Sequence, residues 1–250
     1  MKKKFLIAHI IFYACAFFSC KKSDNNTTPN NPNKLKLYIE NLSQTPYNTI
    51  DTFTVSYDGD NRITALTSST EKFVYTYSNK SFTLDDYENN VLSVHEILFL
   101  NGQSYVDSTF QYDNTLDTTT EKYNYNGKLL TRITDYNYSI SGTQIDEQED
   151  YTYDNNGNVI TDTQSDGYGN INTISTYTYT GKVLNFSTEP FYFPVKSIDI
   201  PATQIQTDGS GNTLASITYA YTFDSEGRVT SETDTDSVSG YIVVKDYVYY

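Results

Sequence analysis

The residues of this chain with the capacity for chemistry are two cysteines, two histidines and 31 carboxylates. Cys15 and Cys20 both lie near the N-terminus, where a thiol can serve as nucleophile, ligand or acyl acceptor. His9 sits in an apolar leader, and His95 lies in Val91-Leu-Ser-Val-His-Glu-Ile-Leu-Phe99, which reads as a strand with a solvated histidine, not a catalytic base. No G-x-S-x-G elbow, Gly-rich phosphate loop or H-E-x-x-H pair occurs, so no nucleophilic triad, nucleotide site or zinc site is signalled. Carboxylates could form a glycosidase-type pair, which needs only proximity in space. Among so many acids close pairs arise by chance, and Asp85-Asp86 and Asp146-Glu147 to Glu149-Asp150 read as solvated strand edges that resist edge-to-edge pairing. Asp166-Gly-Tyr-Gly-Asn170 and Asp208-Gly-Ser-Gly-Asn212 carry oxygen ligands suited to calcium. Calcium repeat loops stack in consecutive copies, and two isolated ones read as plain turns. Neither a metal nor a cofactor is expected.

The segment Met1-Lys2-Lys3-Lys4 is basic and Phe5 to Phe18 is mostly apolar, which is shorter than the roughly 20 residues of a spanning helix. Such a leader reads as an export signal. Ser19-Cys20 followed by Lys21-Lys22-Ser23-Asp24 resembles the cleavage box of bacterial lipoprotein precursors, with Phe17 standing where that family usually has Leu and Phe18 bulkier than its norm. The resemblance implies cleavage before Cys20, lipidation of its thiol, and an outer-membrane lipoprotein on the periplasmic or cell-surface face. Ala14-Cys15-Ala16 offers two alternatives: an ordinary signal-peptidase cut, or lipidation at Cys15. Cys20 is favoured because residues 16–18 remain apolar whereas a polar stretch starts directly after it. Residues 20–34 are then a flexible polar tether, since nothing in them can bury enough surface to offset ordering. Residues 35–250 form one all-β domain. Asp107-Ser108-Thr109, Asp117-Thr118-Thr119 and Asp236-Ser237-Val238 fit the Asp-Ser/Thr O-glycosylation pattern of Bacteroidota periplasmic proteins, in a chain rich enough in both residue types to produce such matches by chance.

The formal net charge is −14, and loss of the leader removes three further lysines. An acidic surface repels phosphate backbones, so nucleic acid is excluded as a partner and anionic lipid is not bound by charge. With Cys15 removed and Cys20 acylated, no thiol remains for disulfides or metal.

The body shows strict alternation and no helical period. From Thr213 to Phe223, Ala215, Ile217, Tyr219, Tyr221 and Phe223 share one face. One unit recurs as Tyr151-Thr-Tyr-Asp-Asn-Asn-Gly-Asn-Val-Ile-Thr161 and Tyr221-Thr-Phe-Asp-Ser-Glu-Gly-Arg-Val-Thr230, with looser copies beginning at Val55, Tyr123 and Tyr177. Aromatics fill the strand, Asp or Asn bonds its own backbone to start the turn, and Gly supplies a positive φ. The aromatics before the turns (Tyr57, Tyr77, Tyr125, Tyr153, Tyr179, Phe223) are spaced as one hairpin per 20 to 28 residues, about two strands each. The two longer gaps, Tyr77 to Tyr125 and Tyr179 to Phe223, are read as two units each. About 14 to 16 strands follow, in an antiparallel meander that is either a large curved sheet or a closed barrel-like shell. Pro190, Pro194 and Pro201 mark a long crossing loop.

Tyr-x-Tyr-Asp-x-x-Gly-x-Val/Ile-Thr resembles the YD repeat of the RHS family. Together with the leader it is closer to Bacteroidota lipoproteins of unknown function that have a porin-like β-fold. The RHS cargo-shell role does not carry over to a chain of this size. A membrane barrel is disfavoured because Asp246 interrupts the apolar face of the last strand, and neither face of residues 147–153 is apolar. The expectation is a lipid-anchored, non-enzymatic binding or scaffolding protein with a glycan or protein partner, for which 25 tyrosines supply contact area. The alternatives are a ligand-free surface spacer, a transmembrane barrel, or a carboxylate hydrolase.

Overall fold

Asp and Asn residues that accept hydrogen bonds from their own backbone shape the turns, and these turns close the sheet on itself. The computed structural model describes residues 34–44, 47–113, 118–139, 142–183 and 199–250. The leader (1–19) and all of the tether (20–34) but Lys34 lie outside them, as do Pro190 and Pro194 of the expected crossing loop; Pro201 instead stands in a strand, paired with Tyr179. The strands are β1 (Leu35–Gln44), β2 (Tyr47–Tyr57), β3 (Ile63–Thr67), β4 (Glu71–Tyr77), β5 (Ser81–Glu88), β6 (Val91–Leu100), β7 (Val106–Asp113) and β8 (Thr118–Asn126). The second half adds β9 (Leu129–Ser139), β10 (Gly142–Tyr153), β11 (Val159–Asp166), β12 (Ile171–Val183), β13 (Asp199–Asp208), β14 (Thr213–Phe223), β15 (Val229–Asp236) and β16 (Ile242–Tyr249). Each pairs antiparallel with its chain neighbours, and β1 pairs with β16 from Leu35↔Tyr249 to Ser43↔Ile242. The described residues therefore form a closed 16-strand barrel, with no unpaired edge strand among them.

Turns from even to odd strands gather at one end, here called proximal, where the Tyr250 N–H also donates to the Lys34 carbonyl at 3.1 Å. The others gather at the distal end. In the turn at Asp154, Oδ1 accepts the N–H groups of Asn156 and Asn158, and Gly157 adopts φ 88°. Asp58, Asp166, Asp208 and Asp224 repeat that arrangement. In the copy at Val55 the left-handed position is held by Asn61 (φ 65°), not by Gly59. Asn tolerates that region through local hydrogen bonding. The copy at Tyr177 is not a described turn, since β12 runs through it to Val183.

One side-chain pattern repeats in every pair of strands. At the proximal end the even strands carry, in order, Tyr57, Tyr77, Leu100, Tyr125, Tyr153, Tyr179, Phe223 and Tyr249; six of these close their strand, while β8 runs one residue further and β12 four. Two residues earlier, Val55, Tyr75, Leu98, Tyr123, Tyr151, Tyr177 and Tyr247 are buried. Each odd strand opens, at its first or second residue, on a buried apolar side chain: Leu35, Ile63, Phe82, Val106, Leu130, Val159, Ile200 or Val229. A round 16-strand barrel would leave an aqueous channel. Full burial of these rings means that the proximal end is filled with side chains. The repeat is thus eightfold, and Leu100 is the unit hidden between Tyr77 and Tyr125. The gap from Tyr179 to Phe223 holds one described hairpin, β13–β14, not two; residues 184–198 account for the excess length.

Five terminal tyrosines make the same bond. The hydroxyls of Tyr77, Tyr125, Tyr153, Tyr179 and Tyr249 donate to the carbonyls of Ile63, Val106, Leu130, Val159 and Val229 at 2.5–2.7 Å. In each case the odd strand runs past its last ladder pair with the following even strand, as at Thr161↔Thr176 and Ser231↔Asp246. The tyrosine hydroxyl satisfies the carbonyl left over. Tyr153→Phe should therefore cost about 1–2 kcal/mol in urea unfolding, the penalty for an orphaned buried carbonyl. An unchanged midpoint would show that water replaces the hydroxyl.

Candidate functional site

Side chains that share the inward face with the buried tyrosines become ionisable away from the proximal end. Four residues before the strand-terminal position stand Glu96, Glu121, Glu149 and Lys245, while Phe53, Phe73, Ser175 and Tyr219 hold the same place in the other units. Lys245 Nζ donates to Glu232 Oε1 and Asp234 Oδ2, both at 2.8 Å. The Tyr247 hydroxyl donates to Glu232 Oε2 at 3.2 Å, and the Tyr38 hydroxyl to Glu40 Oε2 at 2.7 Å. Burial works against the Lys245 charge, yet Glu232 and Asp234 hold its ammonium well above the ordinary lysine range. Asp234 is pushed up to about 7 by burial and Glu232, against the pull of Lys245. Glu96 is pushed up to about 8 by burial and then by the Glu121 charge, with a Thr109 hydrogen bond opposing. Farther toward the distal end, burial and then Asp51, Asp86, Glu88 and Glu40 raise the Glu71 carboxyl. The barrel interior thus grades from an apolar plug to an acid-lined distal half.

The distal turns are built tightly. A Cβ on Gly167 would lie 1.8 Å from the Ile145 carbonyl oxygen, and one on Gly209 would lie 2.3 Å from that of Ile171. Only glycine permits that approach. These are the two Asp-Gly-x-Gly-Asn turns, which fold alike. The side chain and backbone of Asn170, and of Asn212, hold the Asp166 and Asp208 carboxyls below the usual range. Those carboxylate oxygens are engaged by their own loops.

Several sequence expectations change here. His95 is not a solvated strand histidine: it lies half-buried on the outer wall, its Nδ1 bonded to Asp85 and its ring 4.8 Å from that of Tyr112. Asp85-Asp86 and residues 147–150 are not strand edges, because β5 and β10 are paired on both sides there, while Asp146 falls at the irregularity between Ile145 and Glu147. Asp86 faces inward with Glu71 and Glu88, while Asp150 forms a two-pronged pair with Arg132 on the outer wall. Thr109 is buried, Ser108 is partly covered, and Asp236-Ser237-Val238 forms the exposed distal turn between β15 and β16. Asp117, and Cys20 with its alternative Cys15, lie outside the described residues. The acidic inner row and the Lys245 cluster were not singled out in the sequence. The signal was their phase: Glu121 and Glu149 stand two residues before an inward Tyr-x-Tyr.

The outer wall differs from the inside. Thr176, Thr178, Thr218 and Thr222 are exposed on β12 and β14, with Thr178 bonded to Thr203 and Thr222 to Thr230 at 2.7 and 2.8 Å. Apolar side chains gather outside mainly on β6–β7, where Ile97 is opposite Phe110 beside Phe99 and Tyr112. β3 has five residues and β4 seven, short of the 9–11 of a spanning strand.

These features define a closed antiparallel barrel with a filled end and an acidic end. Its fold is similar to that of two solved porin-like proteins. One, from Bacteroides uniformis ATCC 8492, superposes with a TM-score of 0.65 at 16% identity over 90% of this chain and 100% of that one. The other, from Bacteroides vulgatus ATCC 8482, gives 0.62 at 11% identity over 86% of this chain and 98% of that one. No family model and no curated protein matches the sequence.

Proposed function

We propose that the chain is a lipid-tethered cell-envelope protein whose barrel stands free of the bilayer and acts as a non-enzymatic binding or scaffolding module. The observation that carries this reading is the inverted polarity of its proximal half, set beside an acid-lined distal interior. A spanning barrel presents an apolar band to lipid and a polar interior, whereas this one buries its apolar rings inside and shows a threonine-rich wall outside over β12–β14. Its short third and fourth strands add support, as do the apolar leader and polar stretch around Cys20. The porin-like neighbours and the apolar patch on β6–β7 favour a second reading, a barrel embedded in the outer membrane.

One pair of variants separates the two. Thr176→Lys with Thr218→Lys places charges mid-wall, each costing about 2–4 kcal/mol at a bilayer midplane but near zero in water. In cells, the double variant should reach the envelope at wild-type level, and Cys20→Ala should move the barrel to the soluble fraction after alkaline extraction. A Cys20→Ala barrel that stays in the extracted membrane, together with loss of the lysine variant, would establish the embedded reading instead.

A further inference from the structure

The distal end differs from the proximal end in two independent ways, and both point to one kind of partner. First, large apolar side chains are exposed at or directly beside its turns, Tyr168 at 92%, Val91 at 63% and Val238 at 53%, and Ile50 at 67% stands farther along β2. The first three come from three different connections, β11–β12, β5–β6 and β15–β16, spread around the mouth. Second, charge is segregated along the barrel. The proximal end and its turns carry Lys34, Arg62, Lys80, Lys128, Lys182 and Arg228, whereas the only cation beside a described distal turn is Lys72. The distal half instead holds Asp51, Glu71, Asp86 and Glu88 on its inner face. An apolar ring of that extent marks an interaction surface.

Resting on the reading of the protein as a binding module, we infer that the distal mouth docks a basic, apolar segment of another polypeptide. Its hydrophobic side chains would pack on Tyr168, Val238 and Val91, and its Lys or Arg groups would meet the carboxylates inside the rim. Charge complementarity selects this occupant. Anionic lipid is repelled by the inner carboxylates, and a neutral glycan makes no use of them. A second copy offers either the same acidic end or a proximal end whose arginines are already held by Asp58 and Asp224. Docking here also leaves the Lys34 end, toward which the tether leads, free to face the membrane.

The test uses the full chain purified in detergent and three probes: a Lys/Leu peptide, a Glu/Leu peptide and phosphatidylglycerol vesicles. Fluorescence anisotropy should show salt-sensitive binding of the Lys/Leu peptide alone. Tyr168→Ser with Val238→Ser, and separately Glu71→Gln with Asp86→Asn, should each weaken it about tenfold. Glu226→Gln, which removes a charge at the proximal end, should change it less than twofold. A photo-crosslinking version of the peptide should label distal turns. Equal binding of the Glu/Leu peptide, vesicle binding that the rim variants abolish, unchanged affinity in the rim variants, labelling at proximal turns, or concentration-dependent dimers lost in the rim variants would each overturn the inference. None of these readouts depends on attachment through Cys20, so this proposal can fail while the tethered reading stands.

Discussion

Replacing Lys245 with methionine is expected to destabilise the barrel by about 3–5 kcal/mol at pH 7.5, because it leaves two buried carboxylates without their cation. Glu232 and Lys245 are among the least exposed charged side chains described, and Lys245 lies opposite Glu232 on β15 and Glu40 on β1 at the seam region of the closed sheet. The loss should depend on pH in a defined direction. Burial already raises the Asp234 carboxyl against the pull of Lys245; without the ammonium it would stand farther above its unfolded value, so the folded state binds the extra proton and stability falls as pH rises. The penalty should therefore shrink toward pH 5, where the Asp234 carboxyl can be neutral. Urea unfolding at pH 5 and 7.5 measures this. The triple change Lys245→Met, Glu232→Gln, Asp234→Asn should recover most of the loss, since an intact buried network and a neutral one of similar volume are close in free energy. A Lys245→Met protein as stable as wild type at both pH values would mean that water reaches the cluster and that this part of the interior is open.

The architecture was largely legible in the chain because its repeat is written in turn chemistry. Asp154, Gly157 and Val159 fix a turn, a left-handed residue and a buried strand opener within six positions, and the structure reproduces that unit at Asp58 and Asp224. Closure was left open because hairpins specify only sequential neighbours. Pairing β1 with β16 rests on the match of Leu35–Ser43 with residues 242–249, a contact between the two ends of the domain that no local motif announces. The unit at Leu100, expected in the long gap from Tyr77 to Tyr125, carried no motif to mark its place: it replaces the terminal Tyr with Leu and supplies the left-handed residue with Ser104 instead of Gly. The interior acids were read as surface because burial of a carboxylate is rare. Alternation alone does not tell which face of a closed sheet is inside, and a Tyr-rich face beside a Thr-rich face leaves that choice to packing. His95 shows the converse, since its cover comes from Asp85 and Tyr112 on two different strands, visible only once β5, β6 and β7 are in register.

Glu96→Gln is expected to stabilise the protein at alkaline pH, an unusual outcome for removing a conserved-volume acid from a strand interior. Glu96 lies on β6 opposite Leu84 on one side and Gln111 on the other, with the Glu121 charge nearby. The Thr109 hydroxyl accepts the Glu121 N–H at 3.3 Å, which brings the two acidic strands together around one threonine. Since the Glu96 carboxyl is pushed up to about 8 in the fold, it is protonated at neutral pH and ionised only above that. Its unfolded value lies near 4.3. Between those limits the folded state holds the extra proton, so stability contributed by neutral Glu96 is present at low pH and declines as pH rises through the window. Each unit of separation corresponds to about 1.4 kcal/mol, and the full shift to roughly 5 kcal/mol, nearly all of it reached by pH 8. Glutamine keeps the shape and the hydrogen-bonding groups without the charge. The variant should match wild type near pH 5 and exceed it by several kcal/mol near pH 8, leaving Asp234 as the main source of the remaining slope. Thermal melts from pH 4.5 to 8.5 test this. Parallel wild-type and Glu96→Gln curves would show that Glu96 ionises freely and that solvent penetrates the barrel as far as β6.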